Sequence, residues 1–485
     1  MSKISPELIA KRYRAEKRFR IYGMAAIAVT ASFLLFLLVD LTLKAHPALF
    51  EHRLSVTVTP DQVAFADPAK ADYAKLAKQT LSDLMPQVKD RAERKALLKL
   101  LSSGAADDLR EKLMANPALI GTAVETDLLL SDGADQYLKG YVTQVRRTPG
   151  DASLSLAKSG AEWTAHAAGL AEGTIIKAAG GALVIGAAGT AEVILSPQGD
   201  GPFMLQADEW QRVEFAVPAS ERGMDDRQIL LLEILQDKGV VEKGLAWRFF
   251  AQGDSREAEL AGIKGALFGS IMTVLLTLVT CLPIGVGAAV YLEEFAPKNR
   301  LTGFIEVNIN NLAAVPSIIF GLLGLAVFLG TLGLPRSTPI VGGLVLALLV
   351  LPTIIIASRA SLRSVPPSIK EAALGVGASH QQAVFHHILP MAIPGILTGT
   401  ILGVARALGE TAPLLMIGMV AFIADVPESF SDSAAVLPVQ VFLWSDLPEA
   451  AFRSKTALAI LVLLSVLFLL NATAIYLRRR FERRW

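Results

Sequence analysis

Arg406 and Glu410 carry opposite charges four residues apart inside an otherwise apolar run, 393–424. On a helix that spacing puts both on one side, where they partly neutralise each other. If the helix begins near Pro390, Arg406 lies about 24 Å along it at 1.5 Å per residue, well inside a bilayer. Charges at that depth are expensive and usually functional. One reading is an ion pair that fixes helix packing. The favoured reading is a polar lining to an anion path, with Thr411 beside the pair. Arginine would attract the anion and glutamate would limit how tightly it is held, because a conduit must also release.

A second polar group sits on the run FIEVNINNLAAVPSIIFGLLG, 304–324. Three amides, Asn308, Asn310 and Asn311, on an otherwise apolar span suggest inter-helix hydrogen bonds or a wet face. Structural glue is the favoured role for the amides, with Asn308 and Asn311 also kept as candidates for the path, while Glu306 reads as interfacial. Gly321, Gly324 and Gly330 are expected to serve close helix packing. His386 and His387 are adjacent, so they do not share a helix face and make a poor metal site. They read as solvent or partner contacts, and the solitary His166 as a surface or packed histidine. No GxxxxGK[ST] loop and no catalytic constellation occurs. The chain is therefore expected to be no enzyme, to bind no cofactor or metal, and to draw its energy from another subunit.

These groups need a membrane to give them meaning, and the composition supplies one. Of 485 residues, 52% are hydrophobic and 19% charged, with net charge +1 and mean hydropathy +0.47. That is too apolar for an ordinary soluble protein and too charged for spans alone, so a soluble domain is inserted in a membrane protein. The near-neutral charge argues against a nucleic-acid partner, and the single Cys281 excludes an intrachain disulfide.

Residues 1–20 hold seven Lys/Arg (Lys3, Lys11, Arg12, Arg14, Lys17, Arg18, Arg20) against Glu7 and Glu16. The charge-free run 21–39 follows, long enough for the ~20 apolar residues a span needs. With no small-residue cleavage site after it, 21–43 reads as an uncleaved anchor. Residues 44–258 are an α+β insert on the outer side of the membrane. Its stretch 73–113 is rich in Ala, Lys, Leu and Glu and reads as helix, broken at Pro86. Runs at 174–177, 182–185, 191–195, 212–217 and 229–235 read as strands. Spans follow at about 263–291, 304–332, 340–357, 393–424 and 457–477, giving six transmembrane helices with the anchor.

Charge fixes the orientation. Arg478, Arg479, Arg480, Arg483 and Arg484 crowd the tail 478–485, and Lys298, Arg300, Arg359, Arg363 and Lys370 fall in loops on the same side. Opposite loops offer only Arg336, Arg453 and Lys455. The positive-inside rule puts both termini in the cytoplasm.

The stretch EAALGVGASHQQAVFHHILP, 371–390, resembles the EAA loop of ABC-importer permeases. Glu371, Ala372, Ala373, Gly377, Leu389 and Pro390 match that pattern, and His387 stands in its Ile slot with Ile388 next to it. The resemblance implies that the cytoplasmic loop 360–390, within a permease domain at 259–477, docks on an ATPase subunit. Glu371 would be its acidic residue and Gly377 the turn between two small helices. ARALGETAPLL (405–415), NLAAVPSIIFGLLGL (311–325) and LPIGVGAAVYLEEFAP (282–297) narrow it to the permeases of bacterial phosphate ABC importers. That implies a sibling permease, an ATPase dimer holding ATP and magnesium, a phosphate-binding protein and an inner-membrane location. Two other readings stand beside it: a permease for sulfate or molybdate, and a membrane-tethered phosphate sensor or scaffold.

Overall fold

The computed structural model describes the chain except residues 1–5, 63, 66, 89, 141–144, 160–161, 167–169, 187–189, 200, 217–222, 420–421 and 482–485. Lys3, Val217, Arg483 and Arg484, which entered the sequence reading, lie outside the described residues. The chain forms two compact units: Leu49–Gly262 with Pro448–Ala451, and the remainder.

The first helix, α1 (Pro6–Ala45), contains the expected anchor. The insert then runs β1 (Phe50–Val58), α2 (Tyr73–Leu84), α3 (Arg91–Leu98), α4 (Asp107–Ala115), β2 (Val124–Leu129) and α5 (Asp132–Leu138). Next come β3 (Val145–Pro149), β4 (Leu154–Ser159), β5 (Glu162–His166), β6 (Ile175–Ala178), β7 (Gly181–Ile185) and β8 (Thr190–Leu195). It closes with β9 (Phe203–Leu205), β10 (Gln211–Phe215), α6 (Asp226–Asp237), β11 (Val241–Leu245) and α7 (Trp247–Ala251). The strands make one three-stranded sheet, β11-β1-β2, and one eight-stranded sheet, β3-β10-β6-β7-β8-β5-β4-β9, with every pair antiparallel.

The insert is α+β; α2 stops at Leu84, just before Pro86, but the stretch after it holds two helices, α3 and α4, where one was expected. Four of the five expected strands form, as β6, β7, β8 and β10. The fifth is wrong, because 229–235 lies in helix α6. Asp225 and Gln228 build a reciprocal capping box that starts this helix, and Ile229 to Leu235 are buried all round. With no polar stripe left to betray a helical period, a short apolar run looks the same as a buried strand. His166 is exposed on β5.

The membrane unit continues with α8 (Lys264–Val290), α9 (Arg300–Ala313), α10 (Ser317–Gly324), α11 (Pro339–Arg363), α12 (Pro367–Gly375) and α13 (His380–Gln382). Then follow α14 (Leu389–Gly409), α15 (Ala412–Met416), α16 (Leu437–Ser445) and α17 (Ala450–Phe481). Among the described residues five helices are long and apolar enough to cross a membrane: 12–49, 264–295, 339–363, 380–409 and 450–480. A sixth span exists only if α9 and α10 count as one, and they are bent by 101°. The straight span expected at 304–332 is thus broken. Pro316 lacks the N–H that would reach Leu312, and it disfavours helical geometry in the residue before it.

The expected span 393–424 is also cut short. α14 ends at Gly409, and Glu410 turns extended, with φ −81° and ψ 117°. Pro413 is the cause: it has no N–H for the Gly409 carbonyl, and its ring would clash there.

α11 is the centre of the bundle. It packs on α8 through Gly285 and Gly343, and on α14 through a seam of small residues. On α14 the seam runs Gly395, Gly399, Gly403, four residues apart, where β-carbons would stand 2.3 Å from Ser361 Oγ, 2.2 Å from Ala357 Cβ and 2.6 Å from Val350 Cγ1. Ala407 continues it, 1% exposed. Such an i, i+4 ridge lets two helix backbones approach closely. Gly321 and Gly324 do the same work on α10, against Pro413 and Val345. Gly330 does not: a β-carbon there would meet only the Leu325 carbonyl, at an ordinary 3.5 Å.

Candidate functional site

The segment between α11 and α14 is built by local sequence. Pro367 starts α12 at its first position, where a missing N–H costs nothing. The helix ends in a Schellman motif: the Gly377 N–H donates to the Leu374 carbonyl at 3.0 Å and the Ala378 N–H to the Ala373 carbonyl at 3.1 Å. Gly377 sits at φ +90° with open space around it, so the backbone, not crowding, demands glycine. Ser379 and Gln382 then form a capping box that opens α13. A π-helical turn, Ala383–Ile388, joins α13 to α14, where Leu389 and Pro390 stand at the first two positions.

Of the residues in this segment expected to meet a partner, Ala373 is buried at 6%. Glu371, Ala372 and Gly377 are exposed, with Leu374 at 42% and Val376 at 87% beside them. His386 and His387 are exposed as well. The short helix thus leaves an acidic side chain exposed next to bare apolar ones.

Beneath this helix lies a cluster that sequence reasoning did not assemble. A second π turn, Tyr291–Phe295, ends α8 and carries Glu293 and Glu294. Lys370 of α12 donates to Glu294 at 2.6 Å, and His380 Nε2 lies 2.9 Å from the Glu294 carbonyl oxygen. The His380 ring meets Phe295 edge-on at 5.0 Å. Glu293 takes Arg363 at 2.6 Å and Arg359 at 3.4 Å, and Arg359 also reaches Glu306 on α9 at 2.6 Å. Glu306 is therefore an ion-pair partner, not merely interfacial. The arginines and Lys370 had served only as counts of positive charge; their acids lie 53 to 76 residues away in sequence. The double glutamate of LEEF was the one visible signal.

Arg406 stands in the last turn of α14, with Nε 3.4 Å from Glu410 Oε1. That is longer than the ~2.7–2.9 Å of a tight charge-assisted bond. The Arg406 side chain is 46% exposed and that of Glu410 20%, while Val404, Ala407 and Leu408 are buried. The pair is thus partly exposed on the Arg406 side and more covered on the Glu410 side. Thr411 is half-buried in the break after Glu410. Asn308 and Asn311 are exposed on α9, and the Asn308 amide donates to its own helix at Phe304, 2.7 Å, not to a neighbouring one. Among the described residues no hydrogen bond or ion pair joins either amide to Arg406 or Glu410.

The unit thus combines a bundle of apolar spans, a short exposed helix between two of them, and a charge pair at the far end of the second of those two. Residues 281–485 match the family described as "Binding-protein-dependent transport system inner membrane component", and residues 7–147 match a "Domain of unknown function (DUF3333)". The phosphate transport system permease protein PstA 1 of Mycobacterium tuberculosis (strain ATCC 25618 / H37Rv) is 31% identical over 232 residues, 48% of this chain and 74% of that one. The probable ABC transporter permease protein YqgI of Bacillus subtilis (strain 168) is 38% identical over 171 residues, 35% of this chain. The match spans 58% of the YqgI length. PstC of Haemophilus influenzae is 34% identical over 238 residues, 44% of this chain and 73% of that one. The chain belongs to the binding-protein-dependent ABC transporter permeases, and it is related to PstA.

Proposed function

We propose that the chain is one of two permease subunits of an ATP-driven importer of inorganic phosphate. Arg406 carries the reading. It is a guanidinium 46% exposed from its own bundle, within the stretch shared with the permease family. A cation bare to hydrocarbon is costly, so its open side faces another polypeptide or a wet passage. A PstC-like sibling supplies that second wall, and phosphate passes between them. Arg406 draws the anion in, Glu410 and Thr411 keep the grip weak, and Asn308 and Asn311 add polar surface to the path.

A PstB-like ATPase dimer docks on Glu371, Ala372 and the turn at Gly377, with Leu389 and Pro390 anchoring the following helix. ATP and magnesium belong to that dimer, and this chain performs no catalysis. A PstS-like binding protein delivers phosphate from outside. Both termini, 1–20 and 478–485, lie in the cytoplasm. The insert 44–258 stands on the outer face after the anchor 21–43, and 259–477 form the permease domain.

The test is uptake by the reconstituted complex. Arg406→Gln should abolish phosphate transport while the subunits still co-purify. Near-normal transport would reduce the pair to a structural role. Excess sulfate or molybdate that suppressed uptake as well as phosphate does would move the substrate assignment to another oxyanion.

A further inference from the structure

We infer that Glu294 and Lys370 form the linkage through which α12 moves the ends of α8 and α9; this rests on α12 being the ATPase-docking helix. α12 is covalently tied only to α11 and α14. Lys370 of α12 meets the Glu294 carboxylate at 2.6 Å, and His380 of the following α13 lies 2.9 Å from the Glu294 carbonyl oxygen, so both converge on one residue at the end of α8. The Glu294 side chain is 10% exposed and that of Lys370 33%, so water screens this pair less than a surface bridge.

The neighbouring acid extends the chain of contacts. Glu293 holds Arg359 and Arg363 of α11, and Arg359 passes on to Glu306 of α9. The Arg359 side chain is 11% exposed between two carboxylates, so losing either leaves its mostly buried charge with a single partner. Three cations, Arg359, Arg363 and Lys370, thus meet three anions, Glu293, Glu294 and Glu306. The two glutamates lie on a π turn, a form of helix common where function needs an irregular backbone. Adjacent residues point to different sides of a helix, so the turn grips α12 with one and α11 with the next. Glu294 and Lys370 are positioning residues: neither need touch phosphate or nucleotide.

The experiment uses the full importer, with spin labels at Ser368 on α12 and Leu301 on α9, both exposed. If the linkage holds, the label distance stays narrow with and without ATP, because both positions move together. Lys370→Glu and Glu294→Lys should each broaden it and cut phosphate carried per ATP at least tenfold, with the ATPase still co-purifying. The exchanged pair, Glu294→Lys with Lys370→Glu, should restore the narrow distance and recover transport to within threefold. Glu294→Gln keeps the shape should a charge reversal impair folding, and it should broaden the distance likewise. Unaltered distances and coupling in the single variants, or no recovery in an assembled exchange variant, overturn the proposal. Narrow ATP-independent distances in a complex that carries no phosphate would overturn the substrate assignment alone.

Discussion

Gly399→Ala tests the seam that holds the charged end of α14 in place. A β-carbon at Gly399 would stand 2.2 Å from the Ala357 β-carbon, with the Ala357 Cα next at 3.6 Å. Carbons pack at about 3.5–4.0 Å, so the helices must part by about 1.5 Å or α14 must turn. Overpacking of this kind costs about 1–3 kcal/mol. The obstacle is one methyl group, which makes the reasoning reversible. With Ala357→Gly added, the new methyl faces only the Cα at 3.6 Å, an ordinary contact. The double variant should therefore recover most of the loss, a strong coupling between touching residues. Equilibrium unfolding by SDS titration in micelles reads this directly. The single change should lower the folded-to-unfolded ratio by roughly 5- to 150-fold, at tenfold per 1.4 kcal/mol. Arg406 lies two turns beyond Gly399, so uptake should fall with stability and return with it. A single variant as stable as the parent, or a double variant no better than the single, would refute the close seam.

Gly377→Ala should cost about 1 kcal/mol, since the left-handed backbone there penalises any β-carbon by roughly that much. Gly377→Asn should cost less, and thermal denaturation of the two variants ranks them. Glu371→Lys should weaken ATPase co-purification and transport together; both unchanged would remove Glu371 from the docking surface. In the insert, burial pushes the Asp135 carboxyl up, but the His52 hydrogen bond and the Lys139 charge outweigh it and hold it below its ordinary value. Its contribution to stability is then full above the unfolded pKa of about 4 and is lost as pH falls through the lower folded value. Asp135→Asn should flatten that acid-side loss in an unfolding curve followed by the fluorescence of Trp163 and Trp210.

What the sequence made legible follows from the range of each signal. Hydropathy and Lys/Arg placement are carried by the residues themselves, so the spans, the insert and the permease resemblance could be read directly. Proline did the same for the break after α2, because a missing N–H acts within four residues. It was underused elsewhere: Pro316 and Pro413 obey the same rule, yet the runs around them are so apolar that length alone suggested unbroken spans. The strand mistaken at 229–235 failed for the reverse reason, since total burial erases the period that separates helix from strand. The Asp225–Gln228 box was the local mark that could have decided it.

The site divides along the same line. The EAA-type segment is local, and two of its matching residues have a visible structural job: Ala373 packs and Gly377 turns, while Glu371 and Ala372 are left bare. The charge cluster beneath it is not local. Arg359, Arg363 and Lys370 look like loop charges that merely orient the chain, until the fold brings Glu293, Glu294 and Glu306 to them. A positive-inside count would be satisfied by lysines and arginines anywhere in those loops, but ion pairs of 2.6 Å to three acids on two other helices would not. The same residues that the charge count used for sidedness thus also fasten the ends of the bundle together. If the proposed linkage holds, whatever displaces α12 pulls on α8 through Glu294, and along the chain through α14 on the turn that carries Arg406.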